Sequence, residues 1–245
     1  MSPITSPTRR AVAAALLVTV LWSSSWILIR MGLDDQALPP LTFAGMRYGM
    51  AALVLAAWTL RSQPHRREVA ALDGRSWRRL VVLGVVFYTV TQGAQFIAID
   101  NQPAATSSLV LSLTPLVVAL WAGRTLGEPA TPRQFGGAVL VAFGAVLFFA
   151  GDLAATTVGM VAAVVGLLAN ATSVVLGRDV NRTGLTSPVV VTSISMGVGA
   201  GLLVAIGLVV EGVPSVPPTA WAVVAWLAVV NTAIAFSLWN WSMRF

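Results

Sequence analysis

Eight apolar stretches, each long enough to cross a bilayer, make up most of this 245-residue chain, and arginines cluster in every second gap between them. The stretches run approximately over residues 11–31, 40–60, 79–99, 103–122, 134–151, 157–177, 187–210 and 219–241. A hydrocarbon core about 30 Å thick takes about 20 apolar residues per helix. No water is available there to bond the backbone, so each N–H and C=O must be satisfied inside its own segment, which makes these stretches helices. With 57% hydrophobic residues, 10% charged residues and a mean hydropathy of +0.83, the chain falls far below the roughly 25% charge of soluble domains. The expected fold is an all-α membrane protein of about eight transmembrane helices.

The charge pattern sets the orientation. Arg9 and Arg10 precede the first segment. Arg61, Arg66, Arg67, Arg75, Arg78 and Arg79 follow the second, Arg124 and Arg133 the fourth, Arg178 and Arg182 the sixth, and Arg244 the eighth. All lie on one side if the segments alternate. The opposite gaps hold Asp34, Asp35, Asp100, Asp152 and Glu211, with Arg30 alone at the end of the first segment. The positive-inside rule then places both termini in the cytoplasm of a multi-pass protein of the cell (inner) membrane. The basic residues are all arginine, which reads as a compositional bias of the source genome. A net charge of +6 spread over short loops does not make the basic face that nucleic acid needs. The first segment is too long for the apolar core of a signal peptide, carries Trp22 and Trp26, and shows no clear cleavage site before Asp34, so it is expected to be retained. With no cysteine, disulfides and thiolate metal sites fall away. The lone His65 lies in the arginine-rich gap as a solvated residue. Neither metal nor cofactor is expected.

A repeat emerges on one register. Trp22-Ser23-Ser24-Ser25-Trp26-Ile27-Leu28-Ile29-Arg30 falls on Asn170-Ala171-Thr172-Ser173-Val174-Val175-Leu176-Gly177-Arg178, Pro40 on Pro188, and Ala52 on Ala200. The third segment pairs with the eighth at a slightly smaller shift. The unit is thus five helices, and an odd number makes the second copy enter the membrane from the other side, an inverted repeat of the kind found in secondary transporters. The expected division is residues 1–153 for the first five-helix copy and 154–245 for three helices of the second. Counterparts of segments four and five would follow Phe245, so the chain is expected to lack the last two helices, as a truncation or as an eight-helix variant. Without those neighbours, Asn231 and Asn240 are expected to leave a polar face on the eighth segment unpacked.

The residues of these segments resemble the EamA-type transporters of the drug/metabolite transporter superfamily. Leu21-Trp22-Ser23-Ser24-Ser25-Trp26 is similar to the Trp-Gly-Ser pattern of that family's first helix, with Ser23 where glycine is usual. Phe43-Ala44-Gly45-Met46-Arg47-Tyr48 resembles its second helix, Leu113-Thr114-Pro115-Leu116-Val117-Val118-Ala119-Leu120 its fourth, and Gly127-Glu128 with Gln134-Phe135-Gly136-Gly137-Ala138 the approach to its fifth. The resemblance implies a transporter of small organic molecules, ten helices in the full family pattern, and alternating access.

The candidate substrate-binding residues are Trp22, Trp26, Arg47, Tyr88, Gln92, Gln95, Ser108, Ser112, Asn170, Ser173 and Asn231. Arg47 is the one charge well inside a segment. An arginine near mid-bilayer costs at least about 2.5–3.5 kcal/mol, so it should face the bundle. There it either anchors an anionic group of the substrate or, the reading favoured slightly, bonds backbone carbonyls as part of the scaffold. Tyr88, Gln92 and Gln95 fall at i, i+4 and i+7 and should share one face of the third segment. Trp22 with Trp26, Ser108 with Ser112, and Asn170 with Ser173 share faces in the same way. Together they suggest an uncharged cavity with aromatic walls, although interhelical hydrogen bonding accounts equally well for each polar residue alone. No Asp or Glu lies deep in a segment to carry protons. Gly197 and Gly201, and Gly136, Gly137 and Gly144, read as positions of close helix packing.

The sequence therefore points to a secondary transporter, not an enzyme, that moves a small organic metabolite, with export as the expected direction. Its partners are that molecule and the bilayer, a homodimer is compatible, and nucleic acid is not expected. Two rivals stand beside it. One is a non-transporting membrane fragment of such a transporter. The other is a membrane-embedded enzyme or sensor, which would need clustered acids or histidines that the chain lacks.

Overall fold

The chain's computed structural model describes residues 6–34, 38–149, 154–184 and 186–245. Asp35 and Asp152, the end of the fifth segment at residues 150–151, and residue 153 at the expected boundary lie outside them. Nine helices form among the described residues: α1 Ser6–Asp34, α2 Pro40–Arg61, α3 Gln63–Ala70, α4 Gly74–Asn101, α5 Ala104–Thr125, α6 Pro132–Phe149, α7 Thr157–Asn181, α8 Pro188–Val210 and α9 Pro218–Ser242. Seven of them are long and apolar enough to cross a membrane. The fifth expected span runs on past the described residues, and among those described the apolar part of α6 is Pro132–Leu147. The short α3 was not foreseen. It is a polar helix inside the arginine-rich gap, and Glu68 near its end accepts the Ser187 N–H at 2.7 Å.

Local chemistry fixes most helix starts. Pro40, Pro132, Pro188 and Pro218 open their helices, where a missing N–H costs nothing. Asp73, Thr156 and Ser187 cap α4, α7 and α8 with side-chain oxygens that accept the N–H groups of Ser76, Gly159 and Val190. Inside α4, residues Val85–Thr91 widen into a π-helical turn, and the Thr91 hydroxyl donates to the Val86 carbonyl at 2.8 Å. Val229–Ile234 form a second such turn in α9. Helix α5 breaks between Leu111 and Thr114, just ahead of Pro115.

Helices α2 and α8 form the centre of the bundle. Helix α4 packs on α7 and α8, α9 packs on α1 and α2, and α5 lies against α7. The centre is tight because glycine allows it. A β-carbon on Gly199 would stand 2.2 Å from the Gly84 carbonyl oxygen, and one on Gly84 would stand 2.3 Å from that of Ser195. Gly207 meets Thr42 and Gly45 meets Val204 in the same way. Gly197, Gly201, Gly136, Gly137 and Gly144 have open space beside them, which corrects the expectation of close packing there. Two residues along a helix turn by about 200°, so Gly197 and Gly201 lie away from the face that Gly199 presents to α4. Large apolar side chains such as Leu16, Val20, Leu140 and Leu147 remain exposed, as residues that face lipid should.

The eighth segment has no open polar face. Asn240 is buried, donates to Thr192 Oγ1 at 2.9 Å and accepts from Asn181 Nδ2 at 2.8 Å. Asn231 donates to Ser24 Oγ at 2.9 Å and also to the Leu21 carbonyl. Helices α1, α7 and α8 supply the partners that were expected to be missing.

Candidate functional site

A cavity of about 130 Å³ lies among α1, α2, α4, α5, α7 and α9. Six of the expected residues line it: Trp22, Trp26, Arg47, Gln92, Gln95 and Asn170. Ser25, Tyr48, Phe87, Leu111 and Phe236 complete the wall. Phe236 packs against Trp22 at 4.9 Å between ring centroids and against Phe87 at 5.1 Å, so aromatic rings form one side. The polar side comes from α2, α4 and α7. Among the described residues, no Asp or Glu lines it.

Arg47 is 2% exposed. Its Nε donates to Thr232 Oγ1 at 2.8 Å and its Nη2 to the Asn231 carbonyl at 3.4 Å. The guanidinium carbon sits 5.0 Å from the centre of the Tyr48 ring. Both acceptors belong to the π-helical turn of α9. A widened turn frees backbone carbonyls from the regular ladder, and such turns often serve functional positions. Tyr48 in turn donates to Gln92 Oε1 at 2.5 Å, and Asn170 Nδ2 donates to Thr114 Oγ1 at 3.2 Å.

The other five expected residues sit elsewhere. Tyr88 is fully buried against Tyr48, Phe87 and Phe236 and does not line the cavity. It belongs to the π-helical turn of α4, whose extra residue rotates it away from the face that Gln92 and Gln95 share. Ser108 and Ser112 bond to their own helix, at the Ala104 and Leu109 carbonyls, both at 2.6 Å. Ser173 does the same at the Asn170 carbonyl, at 2.7 Å. Asn231 joins α9 to α1. These hydroxyls and this amide are therefore engaged in the scaffold. Tyr48 was legible as the aromatic neighbour of Arg47. Phe87 and Phe236 were not, because their approach depends on two widened turns that hydrophobic spacing does not reveal.

Polar ties flank the cavity at both ends of the bundle. At the end rich in arginine, Glu128 pairs with Arg178 at 3.2 Å and Arg182 at 3.8 Å, while Asp179 pairs with Arg182 at 2.9 Å and Arg79 at 3.6 Å. Arg178 Nη1 also donates to the Met243 carbonyl at 2.6 Å. At the other end, Arg30 pairs with Asp34 at 2.5 Å, and its Nη1 donates to the Ile99 carbonyl at 2.7 Å. There too, Glu211 accepts the N–H groups of Leu41 and Thr42 at the start of α2.

The model of the EamA-like transporter family matches residues 9–150, more than half of the chain. The chain belongs to the EamA-like transporter family. Among its relatives, a probable terminal-alkyne amino-acid exporter of Streptantibioticus cattleyicolor is 31% identical over 244 residues, which cover 96% of this chain and 76% of the exporter. An uncharacterized transporter of Archaeoglobus fulgidus is 33% identical over 131 residues, covering 54% of this chain and 43% of that protein. A probable amino-acid metabolite efflux pump of Escherichia coli is 26% identical over 153 residues, covering 62% of this chain and 47% of the pump. The chain thus matches less than half the length of two of these three relatives. A solved crystal structure shares the fold with a TM-score of 0.77 at 21% identity, covering 96% of this chain and 79% of that one. As an EamA-family member with seven helices fit to span a membrane among the described residues, the chain is a multi-pass membrane protein.

Proposed function

We propose that this chain is a secondary transporter that exports a small organic metabolite across the inner membrane, with both termini in the cytoplasm. It works by alternating access of two inverted repeats, residues 1–153 and 154–245. The cavity between Trp22, Arg47, Gln95 and Asn170 is its substrate site, and no catalytic residue is assigned.

The observation that carries this reading is a pair of matched bonds. Arg30 and Arg178 close the two stretches that align in sequence. Each sends its Nη1 to a carbonyl at the far end of a helix with a π-helical turn, Arg30 to Ile99 in α4 and Arg178 to Met243 at the end of α9. In an alternating bundle, those bonds sit at opposite ends. The packing follows the same symmetry: α4 lies on α7 as α9 lies on α1, and α4 lies on α8 as α9 lies on α2. One sequence plan used in two orientations supplies a closure at each face, which is what alternating access needs. Two of the relatives, a probable exporter and a probable efflux pump, support the outward direction.

Flux tests it. Proteoliposomes holding the protein and a panel of labelled amino acids, organic acids and neutral amides should release at least one compound faster than empty vesicles. Replacing Trp22 by Ala should remove that difference, since it opens the aromatic side of the cavity. A panel that leaks no faster than from empty vesicles would contradict the transport reading.

A further inference from the structure

We infer that the cavity takes an organic monocarboxylate, with Arg47 as the counter-charge that selects it. This deepens the transport reading and rests on it for the route across the membrane.

Arg47 lies well inside α2, buried, yet none of the five ion pairs among the described residues involves it. Its two hydrogen bonds run to neutral oxygens and use Nε and Nη2. No hydrogen bond among the described residues uses Nη1, and Arg47 lines the cavity. A buried guanidinium with only neutral acceptors carries a large desolvation penalty, and a bound anion offsets it. The bond from Nε to Thr232 fixes the plane of the guanidinium in advance, and a planar fork is the geometry that suits a carboxylate.

The neighbours are donors as well. The indole N–H of Trp22, on the same cavity, is buried and has no acceptor among the described residues. Gln92 has committed its carbonyl to the Tyr48 hydroxyl, which leaves its amide N–H groups as what it can offer. No acid among the described residues lines the cavity to repel an anion or to pair with a cation. The charge count decides among anions. One arginine balances a single negative charge, whereas a phosphate dianion would bring an uncompensated charge into an aromatic-walled site. The rings of Trp22, Trp26, Phe87 and Phe236 suit an apolar tail.

The arginine therefore has two jobs on this geometry. It ties α2 to the π-helical turn of α9, and it presents its remaining edge to the substrate.

The test is equilibrium binding to the purified full chain, with labelled 4-methylpentanoate as probe and 4-methylpentanamide and inorganic phosphate as competitors. The carboxylate should bind saturably, and the amide should compete at least about tenfold more weakly, the scale of one charge-assisted hydrogen bond. Arg47→Gln should weaken carboxylate binding about a hundredfold and amide binding by much less, so that the preference for the carboxylate over the amide is lost. Where Arg47→Gln fails to purify as a folded protein, Trp22→Phe keeps the ring, deletes only the indole N–H, and should weaken the carboxylate about tenfold. Amide binding equal to that of the carboxylate, phosphate competing as well as the carboxylate, or no saturable carboxylate binding would each overturn the inference. Flux in proteoliposomes separates it from the transport reading. Flux with no Arg47-dependent preference for carboxylates removes the anchor and leaves the transporter. Arg47-dependent carboxylate binding with no flux of any compound does the reverse.

Discussion

Gly199→Ala is expected to destabilise the protein more than any other addition of a single methyl group to α8. The new carbon would stand 2.2 Å from the Gly84 carbonyl oxygen and 2.6 Å from Tyr88 Cβ. Neither neighbour can step aside, because one is backbone and the other is rooted in it. The helices must separate, and the Thr89 hydroxyl would lose its 2.8 Å bond to the Gly199 carbonyl. Overpacking of this kind costs about 1–3 kcal/mol. Thermal unfolding in detergent should show the loss as a clear drop in midpoint. Gly197→Ala and Gly201→Ala meet open space and should stay within about 0.5 kcal/mol of the parent. Equal midpoints for all three variants would mean that α4 and α8 do not meet at Gly199.

Glu211→Ala should have a comparable effect from the opposite kind of loss. The carboxylate ends α8 and reaches the start of α2. One oxygen accepts the Leu41 N–H at 2.9 Å, and the other accepts the Thr42 N–H and hydroxyl, both at 2.7 Å. The first N–H groups of a helix have no partner within it, and their partial positive charge favours an anion. Hydrogen bonds to charged groups contribute about 1.5–3 kcal/mol, so alanine should cost at least that range for the strongest of the three. Glu211→Gln is the informative control. It keeps one acceptor but turns an amide N–H toward a donor, so it should recover only part of the stability. Full recovery by glutamine would mean that the negative charge is irrelevant and that the contact is held by shape alone.

Both effects bear on what the sequence could reveal. Apolar length and alternating arginines were enough for the fold class, because an unbroken apolar run of about 20 residues matches the bilayer as a helix and is about twice what a strand needs. The same signal passed over α3, since hydropathy marks where a helix can cross, not where a polar helix lies at the interface. GxxxG spacing at Gly197 and Gly201 pointed to the wrong face of α8, while the glycine that matters, Gly199, lies between them. Its role depends on Gly84 and Tyr88 of α4, more than a hundred residues away in the chain, which spacing along one helix cannot show.

For the cavity, residue type was informative where the side chain could not be satisfied locally. Arg47, Gln92, Gln95 and Asn170 are too long or too charged to bond back to their own helix fully, and all four line it. Ser108, Ser112 and Ser173 are short, and each hydroxyl found a carbonyl one turn earlier, a local option that their sequence spacing does not distinguish from a ligand contact. Tyr88 was misplaced by the π-helical turn, which adds a residue to the count on which the face was assigned. Glu128 lies in the loop before α6, and its pairing with Arg178 and Arg182 requires knowing that α7 ends beside that loop.

The most direct test of the account uses the absence of native cysteine. Gln95→Cys places one thiol on the cavity wall, and a membrane-impermeant thiol reagent can be applied from either face of sealed vesicles. Alternating access predicts labelling from both faces, with a transported compound slowing it from each. Arg178→Gln, which frees the ties to Glu128 and Met243, should raise the rate from the arginine-rich face. Arg30→Gln, which frees the tie to Ile99, should raise it from the other. Labelling from one face only, unchanged by either substitution and by every transported compound, would contradict the account.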